Sequence, residues 1–257
     1  MRLAEIQQKI QRAQTLDFGQ ILNESIELFK KVWLQGFLML LIMIGIMIPF
    51  MFIVYIPLFV FGIADATSPG AYDGLAPIAM LFVFVAYLLF TFIMIIISFG
   101  LKAGLYRIMR QKDQDIIGND DYFYFLRRPY LGKTINLSLA YFGISLLATL
   151  LCFFPVIYVM VPLNLLIVIY AFNPDLSNSD LIRLSFDLGN RKWLIAFGLT
   201  FVAGFLAQIV GMMMCMIGVF FTASFAAIPL YFIYKKVVGF DADDEGSLKR
   251  IGENIEF

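Results

Sequence analysis

Four stretches of the chain, residues 32–64, 74–101, 134–174 and 193–234, contain no charged residue. Each exceeds the roughly 20 residues that a helix needs to cross a hydrocarbon core of about 30 Å. The first two fit one span each. The last two, 41 and 42 residues long, fit two spans apiece, with tight turns at Cys152-Phe153-Phe154-Pro155 and around residues 211–218. The pattern therefore predicts an all-α, polytopic helical membrane protein. Its six transmembrane helices form three hairpins, with spans at about 34–61, 76–100, 133–152, 155–172, 193–211 and 216–234. Residues 1–240 make a single six-span membrane domain, and residues 241–257 a cytoplasmic acidic tail.

The polar stretches between the spans carry a repeat. Aligned on an aromatic position, the copies begin at Ser25, Tyr122 and Ser185 and end in Lys30-Lys31-Val32-Trp33-Leu34, Arg127-Arg128-Pro129-Tyr130-Leu131 and Asn190-Arg191-Lys192-Trp193-Leu194. The first and third share serine, carboxylate, leucine, cation, tryptophan and leucine in register. Each copy is expected to be an interfacial amphipathic helix that precedes its hairpin. In the first, Asp17 and Gln20 have the spacing of a capping box; Gln20, Asn23, Glu24, Glu27, Lys30 and Lys31 form the polar face. This helix is expected to lie in the headgroup layer and turn into the bilayer at Trp33, since tryptophan favours that interface. In the third, Ser177 or Ser179 caps the helix and Trp193 marks the point where the chain enters the membrane. The middle copy departs: residues 122–126 are almost wholly aromatic and apolar, so they should sit deeper, and Pro129 breaks the helix before the span. Lys30, Lys31, Trp33, Arg127, Arg128, Tyr130, Arg191, Lys192 and Trp193 are the predicted interfacial anchors, with the cations placed to meet anionic lipid. A short helix with one narrow seam, Leu3, Ile6, Ile10 and Ala13, precedes the first copy.

Charge gives the orientation. The 19 basic residues all fall before the first span, between spans two and three, between spans four and five, or after span six. Basic residues accumulate on the cytoplasmic side, so both termini are expected there. Within the second group Lys102, Arg107, Arg110 and Lys112 form a basic run that reads as ordinary cytoplasmic flanking charge. The net charge of zero conceals this polarity. Hydrophobic residues make up 61% and charged residues 15%, far from the soluble balance of about half and a quarter. Arg2 is followed by the polar run Glu5-Ile6-Gln7-Gln8-Lys9, so no signal peptide is expected and the first span directs insertion. The localisation this implies is a bacterial cytoplasmic (inner) membrane, multi-pass.

Candidate chemistry is sparse. The chain has no histidine, which removes histidine-ligated haem, zinc and di-iron sites and a serine–histidine triad. Cys152 and Cys215 both lie in apolar stretches and read as packing residues. No ionisable residue is predicted inside a span; the polar residues at depth are Asn136, Asn164 and Gln208. Their expected role is adhesion between helices, and the sharper reading is a polar path for a solute, with Pro49, Pro57, Pro155, Pro162 and Pro229 opening backbone near a cavity. Met212-Met213-Met214-Cys215-Met216 has the soft ligands of a Cu(I) site but reads as a flexible apolar turn. Asp241-Ala242-Asp243-Asp244-Glu245-Gly246 mimics the start of an EF-hand loop, with Gly252 where the twelfth position needs glutamate. No catalytic residue, cofactor or metal is expected.

Asp17-Phe18-Gly19 leading into Leu28-Phe29-Lys30-Lys31-Val32-Trp33, together with Gly100-Leu101-Lys102-Ala103-Gly104, resembles a group of six-span bacterial integral membrane proteins of unknown function. That group includes the membrane domain attached to some glycerophosphodiester phosphodiesterases. The resemblance implies a six-span fold; the phosphodiesterase activity itself needs a soluble barrel, for which no segment here is long enough. Some similar proteins carry a beta-carotene monooxygenase label, an activity that depends on histidine-bound iron. The expected function is that of a non-enzymatic scaffold or lipid-interacting component whose partners are membrane lipids, and other membrane proteins, with no nucleic acid. The alternatives are a transporter or permease component with a path between the three hairpins, and an enzyme acting on lipids through Glu24, Glu27 and Asp187.

Overall fold

The computed structural model describes residues 3–67, 76–116, 118–151, 153–214 and 218–240. The acidic tail, most of the loop between the first two spans, Cys152 and Cys215 fall outside them. The described chain is all-α: α1 (Leu3–Arg12), α2 (Phe18–Thr67), α3 (Ala76–Asp113), a 3₁₀ turn (Tyr124–Leu126), α4 (Leu131–Leu150), α5 (Phe153–Phe172), α6 (Asn178–Arg191), α7 (Trp193–Met213), α8 (Gly218–Thr222), a second 3₁₀ turn (Ala223–Ala227) and α9 (Ile228–Val237). Among the described residues six helical segments are long and apolar enough to cross a membrane, as the hydropathy pattern predicts.

The predicted boundaries hold best where one apolar run becomes a hairpin. Helices α4, α5 and α7 coincide with spans three, four and five to within two residues at each end. The first two spans are different. Helix α2 continues without a break from the amphipathic stretch through the span, a length of about 75 Å at 1.5 Å per residue. The expected turn into the bilayer at Trp33 is therefore absent. No glycine or proline interrupts residues 20–35, so no helix breaker in that segment stops propagation. Pro49 and Pro57 also lie within α2. Likewise α3 runs through residue 100, where the span was expected to end, to Asp113. The sixth span is broken instead, passing from α8 through 3₁₀ geometry to α9, whose first turn accommodates Pro229.

Packing divides the molecule. The N-terminal part of α2, the C-terminal part of α3, α5, α6, α7 and α9 form a close-packed bundle around Tyr170, Tyr231 and Tyr234, all at most 1% exposed. Two glycines in α3 permit the close approach of the first 3₁₀ turn. A Cβ on Gly100 would lie 2.6 Å from the Leu126 side chain, and one on Gly104 would lie 2.6 Å from the Tyr122 carbonyl oxygen. That is why the aromatic segment sits deep: Phe125 is buried and packs with tilted rings against Tyr130 and Tyr170. Beyond the bundle, the distal parts of α2 and α3 pair with each other, with Phe50 stacked on Phe90. They present large apolar side chains outward, among them Phe59 at 69% and Phe82 at 64% exposure.

Helix α6 folds back along α5, where Gly189 faces Pro162 and the Tyr158 hydroxyl donates to Asn190 Oδ1 at 2.5 Å. Its N-terminus is capped as expected: the Asp180 backbone N–H donates to Ser177 Oγ at 3.2 Å.

Candidate functional site

The repeat acquires a structural meaning that its sequence did not disclose. Its first and fourth positions are buried in all three copies: Ser25 and Leu28, Tyr122 and Phe125, Ser185 and Leu188. In copies one and three the buried serine donates back to a carbonyl on its own helix, Ile21 or Ile182, each at 2.7 Å. A hydroxyl satisfied in this way enters an apolar contact without an orphaned donor. The shared serine and leucine are thus the packing face, and the shared carboxylate and cations point away from it.

The predicted anchors occupy unlike surroundings. Lys30 pairs with Glu27 at 2.6 Å and Lys31 with Asp115 at 2.8 Å, while Trp33 rests against Phe221. Arg127 pairs with Asp121 at 3.1 Å, and Arg128 is exposed. Tyr130 accepts from the Tyr124 hydroxyl at 3.3 Å. Arg191 is exposed, and Lys192 donates to the Ala13 and Gln14 carbonyls, fastening the segment after α1. Trp193 is the first residue of α7. Its indole N–H donates to the Tyr158 carbonyl at 3.0 Å, fourteen residues before the end of α5 and so about 21 Å along that helix.

The three polar residues at depth are not brought together. Asn136 and Gln208 are exposed, and the Asn164 amide donates to the Met160 carbonyl of its own helix at 2.8 Å. None of them lines the cavities described below. Met212, Met213 and Met214 all point outward, and among the described residues no group of three acidic, histidine or cysteine side chains is placed to hold a metal.

The principal polar feature is a cleft of about 410 Å³ between α2, the end of α3 and α9, lined by Glu24, Glu27, Lys31, Asp113, Lys235 and Lys236 among others. Asp113 accepts from the Tyr231 hydroxyl at 2.6 Å and pairs with Lys235 at 2.5 Å; Lys236 pairs with Glu24 at 2.9 Å. These bonds tie α9 to both long helices. Behind them Asp120 accepts from Gln35 at 3.1 Å and pairs with Lys112 at 3.4 Å. The Tyr122 hydroxyl donates to the Gln35 carbonyl at 3.1 Å, and burial together with the charge of Asp120 pushes its phenol up to about 12. Carboxylate is matched with cation throughout, so the cleft fastens three helices. Glu24 and Glu27, candidates for lipid chemistry, are both consumed in such pairs.

Sequence reasoning passed over Asp113 and Tyr231, and it gave Lys102 only the role of a flanking charge. Tyr231 sits in a charge-free run and gives no polar signal. Asp113 and Lys102 fall among ordinary flanking charges, and only the unexpected continuation of α3 carries them into packed surroundings. Other polar contacts of this kind are the Thr134 hydroxyl, which donates to the Phe125 carbonyl at 2.8 Å and lies 2.8 Å from the Tyr170 hydroxyl, and the Asn173 amide, which donates to the Tyr234 hydroxyl at 2.6 Å.

No protein-family model matches the chain, and neither a curated protein nor a solved structure is detectably similar to it.

Proposed function

We propose that this chain is a non-enzymatic, lipid-interacting integral membrane protein of a bacterial inner membrane, with both termini cytoplasmic, of the broad six-span kind that its sequence resembles. The observation that carries the reading is the distal arm of α2 and α3. Its large apolar side chains face outward over a length that no other element among the described residues covers, a surface compatible with hydrocarbon and unfavourable in water. The charge-matched cleft at the other end supports the same reading, because its carboxylates and cations neutralise one another. Capture of the full chain in mild detergent, followed by analysis of the lipids and proteins retained, tests it. The expected result is reproducible retention of membrane lipid at defined stoichiometry. Complete loss of lipid, with no recovery when lipid is added back, contradicts it.

A transporter or permease component is the second reading, favoured by the broken sixth span. Discontinuous helices expose backbone near solute sites in many transporters, and here the 3₁₀ segment carries Ser224, whose buried hydroxyl has no hydrogen-bond partner among the described residues. Reconstituted in liposomes, a carrier moves some solute down its gradient, with a rate altered by changes at Asn164, Gln208 or Ser224. Absence of flux across a broad metabolite panel removes this reading.

A further inference from the structure

A second cavity, of about 370 Å³, lies between the first two hairpins and is lined by Met43 and Met47 of α2, by one face of α3, and by Tyr141 of α4 and Ile167 of α5. On α3 the lining residues include Tyr87, Thr91, Ile95, Ser98 and Lys102. Their spacing of three or four places them on a single helix face, so the cavity follows that face for about 22 Å. That exceeds one leaflet of a hydrocarbon core about 30 Å thick. Its lining is apolar except at few points, and Lys102 at one end is the only charged residue lining it.

Lys102 is partly buried, and among the described residues no carboxylate pairs with it and no hydrogen bond satisfies it. By contrast, Lys30, Lys31, Lys112, Lys235 and Lys236 all have carboxylate partners. A cation withdrawn from water without a counter-ion is costly. The missing element is an anion, and the apolar groove leading away from the ammonium requires that anion to carry a long hydrocarbon chain. Tyr141 and Ser98 add hydroxyls near the same end, the kind of sparse polar group that orients a ligand in an apolar site.

We infer that this groove binds one anionic phospholipid, its headgroup phosphate on Lys102 and an acyl chain along Ser98, Ile95 and Thr91 between Met43 and Met47. The inference rests on the lipid-interacting reading and specifies its ligand. Phospholipid is favoured over a soluble anion because the groove is largely apolar and runs from Lys102 along α3 toward the lipid-facing arm.

The test uses the full chain, stripped of lipid and then exposed to mixed micelles of phosphatidylglycerol and phosphatidylethanolamine, with bound lipid counted by native mass spectrometry. Wild type is expected to retain phosphatidylglycerol preferentially. Lys102→Gln is expected to lose that preference by about fivefold, the effect of one cation meeting anionic lipid, and Lys102→Arg to keep it. Lys30→Gln, at an exposed pair, serves as the control and should leave retention unchanged. Ser98→Phe fills the groove without touching the cation and is expected to reduce retention independently of headgroup. Equal retention by wild type and Lys102→Gln overturns the assignment of Lys102 while leaving a lipid-interacting protein in place. Uptake of oleate but of no phospholipid also overturns it. Failure of every form to retain any lipid overturns both this inference and the reading it rests on.

Discussion

The proximal and distal parts of the first hairpin are built from the same residue types and have opposite surroundings. Near Leu28, Val32, Leu101 and Met109 the two helices are wrapped by α5, α7 and α9, and these side chains are at most 3% exposed. Near Phe52, Phe59, Met80 and Phe82 they touch little but each other, and the same kinds of side chain are 61–69% exposed. Hydropathy cannot separate the two, because hydrocarbon is as apolar as leucine and rewards either face equally. What separates them is the small and polar residues at the contacts: Gly100 and Gly104, the buried Ser25 and Ser185, and the charge pairs of Asp113 and Glu24.

If that contrast is right, truncation should be costly in the bundle and nearly silent in the arm. Phe125→Ala opens a cavity among Tyr124, Tyr130 and Tyr170 and is expected to cost about 3–5 kcal/mol, measured by thermal unfolding in detergent. Alkaline pH should come next. Because the Tyr122 phenol is held near 12 in the folded chain and ionises near 10 when unfolded, the folded state keeps its proton while the unfolded state loses it. Stability therefore falls as pH rises from about 10 to 12, by about 2 kcal/mol. Tyr122→Phe should flatten that part of the curve; an unchanged alkaline slope would remove the claim. Asp113→Asn weakens the tie to Lys235 and Tyr231 and is expected to cost about 1–2 kcal/mol, with protease access to α9 as the readout. Phe59→Ala in the arm should shift stability by no more than about 0.5 kcal/mol. A loss comparable to that of Phe125→Ala would mean that the arm is packed against something.

The spans were legible in the sequence because length and charge-free composition are properties of single segments. Helices α4, α5 and α7 accordingly lie where the pattern puts them. The junctions were not legible. Trp33 was read as a turning point because aromatic and basic residues favour an interface, yet no glycine or proline between Gln20 and Gln35 stops a helix, and local continuity prevails. The direction of α6 is likewise set by contacts between segments, Gly189 against Pro162 and Asn190 with Tyr158, which no local pattern discloses. The repeat was visible, but its emphasis was inverted: the charges and aromatics caught the eye, whereas the first and fourth positions carry the packing. Lys102 illustrates the same limit. As one of four cations after a predicted span it looks solvated, and only the fold reveals an apolar groove ending at its ammonium.

The central claim is that the distal arm of α2 and α3 lies in lipid while the equally apolar proximal parts lie in protein. A nitroxide placed at Phe82→Cys, with Cys152 and Cys215 replaced, reports this directly in the full chain reconstituted into vesicles. The account predicts faster relaxation by oxygen than by a water-soluble nickel chelate at that site, and the reverse at a label on Glu27→Cys in the polar cleft. Faster relaxation of the Phe82→Cys label by the nickel chelate would contradict it.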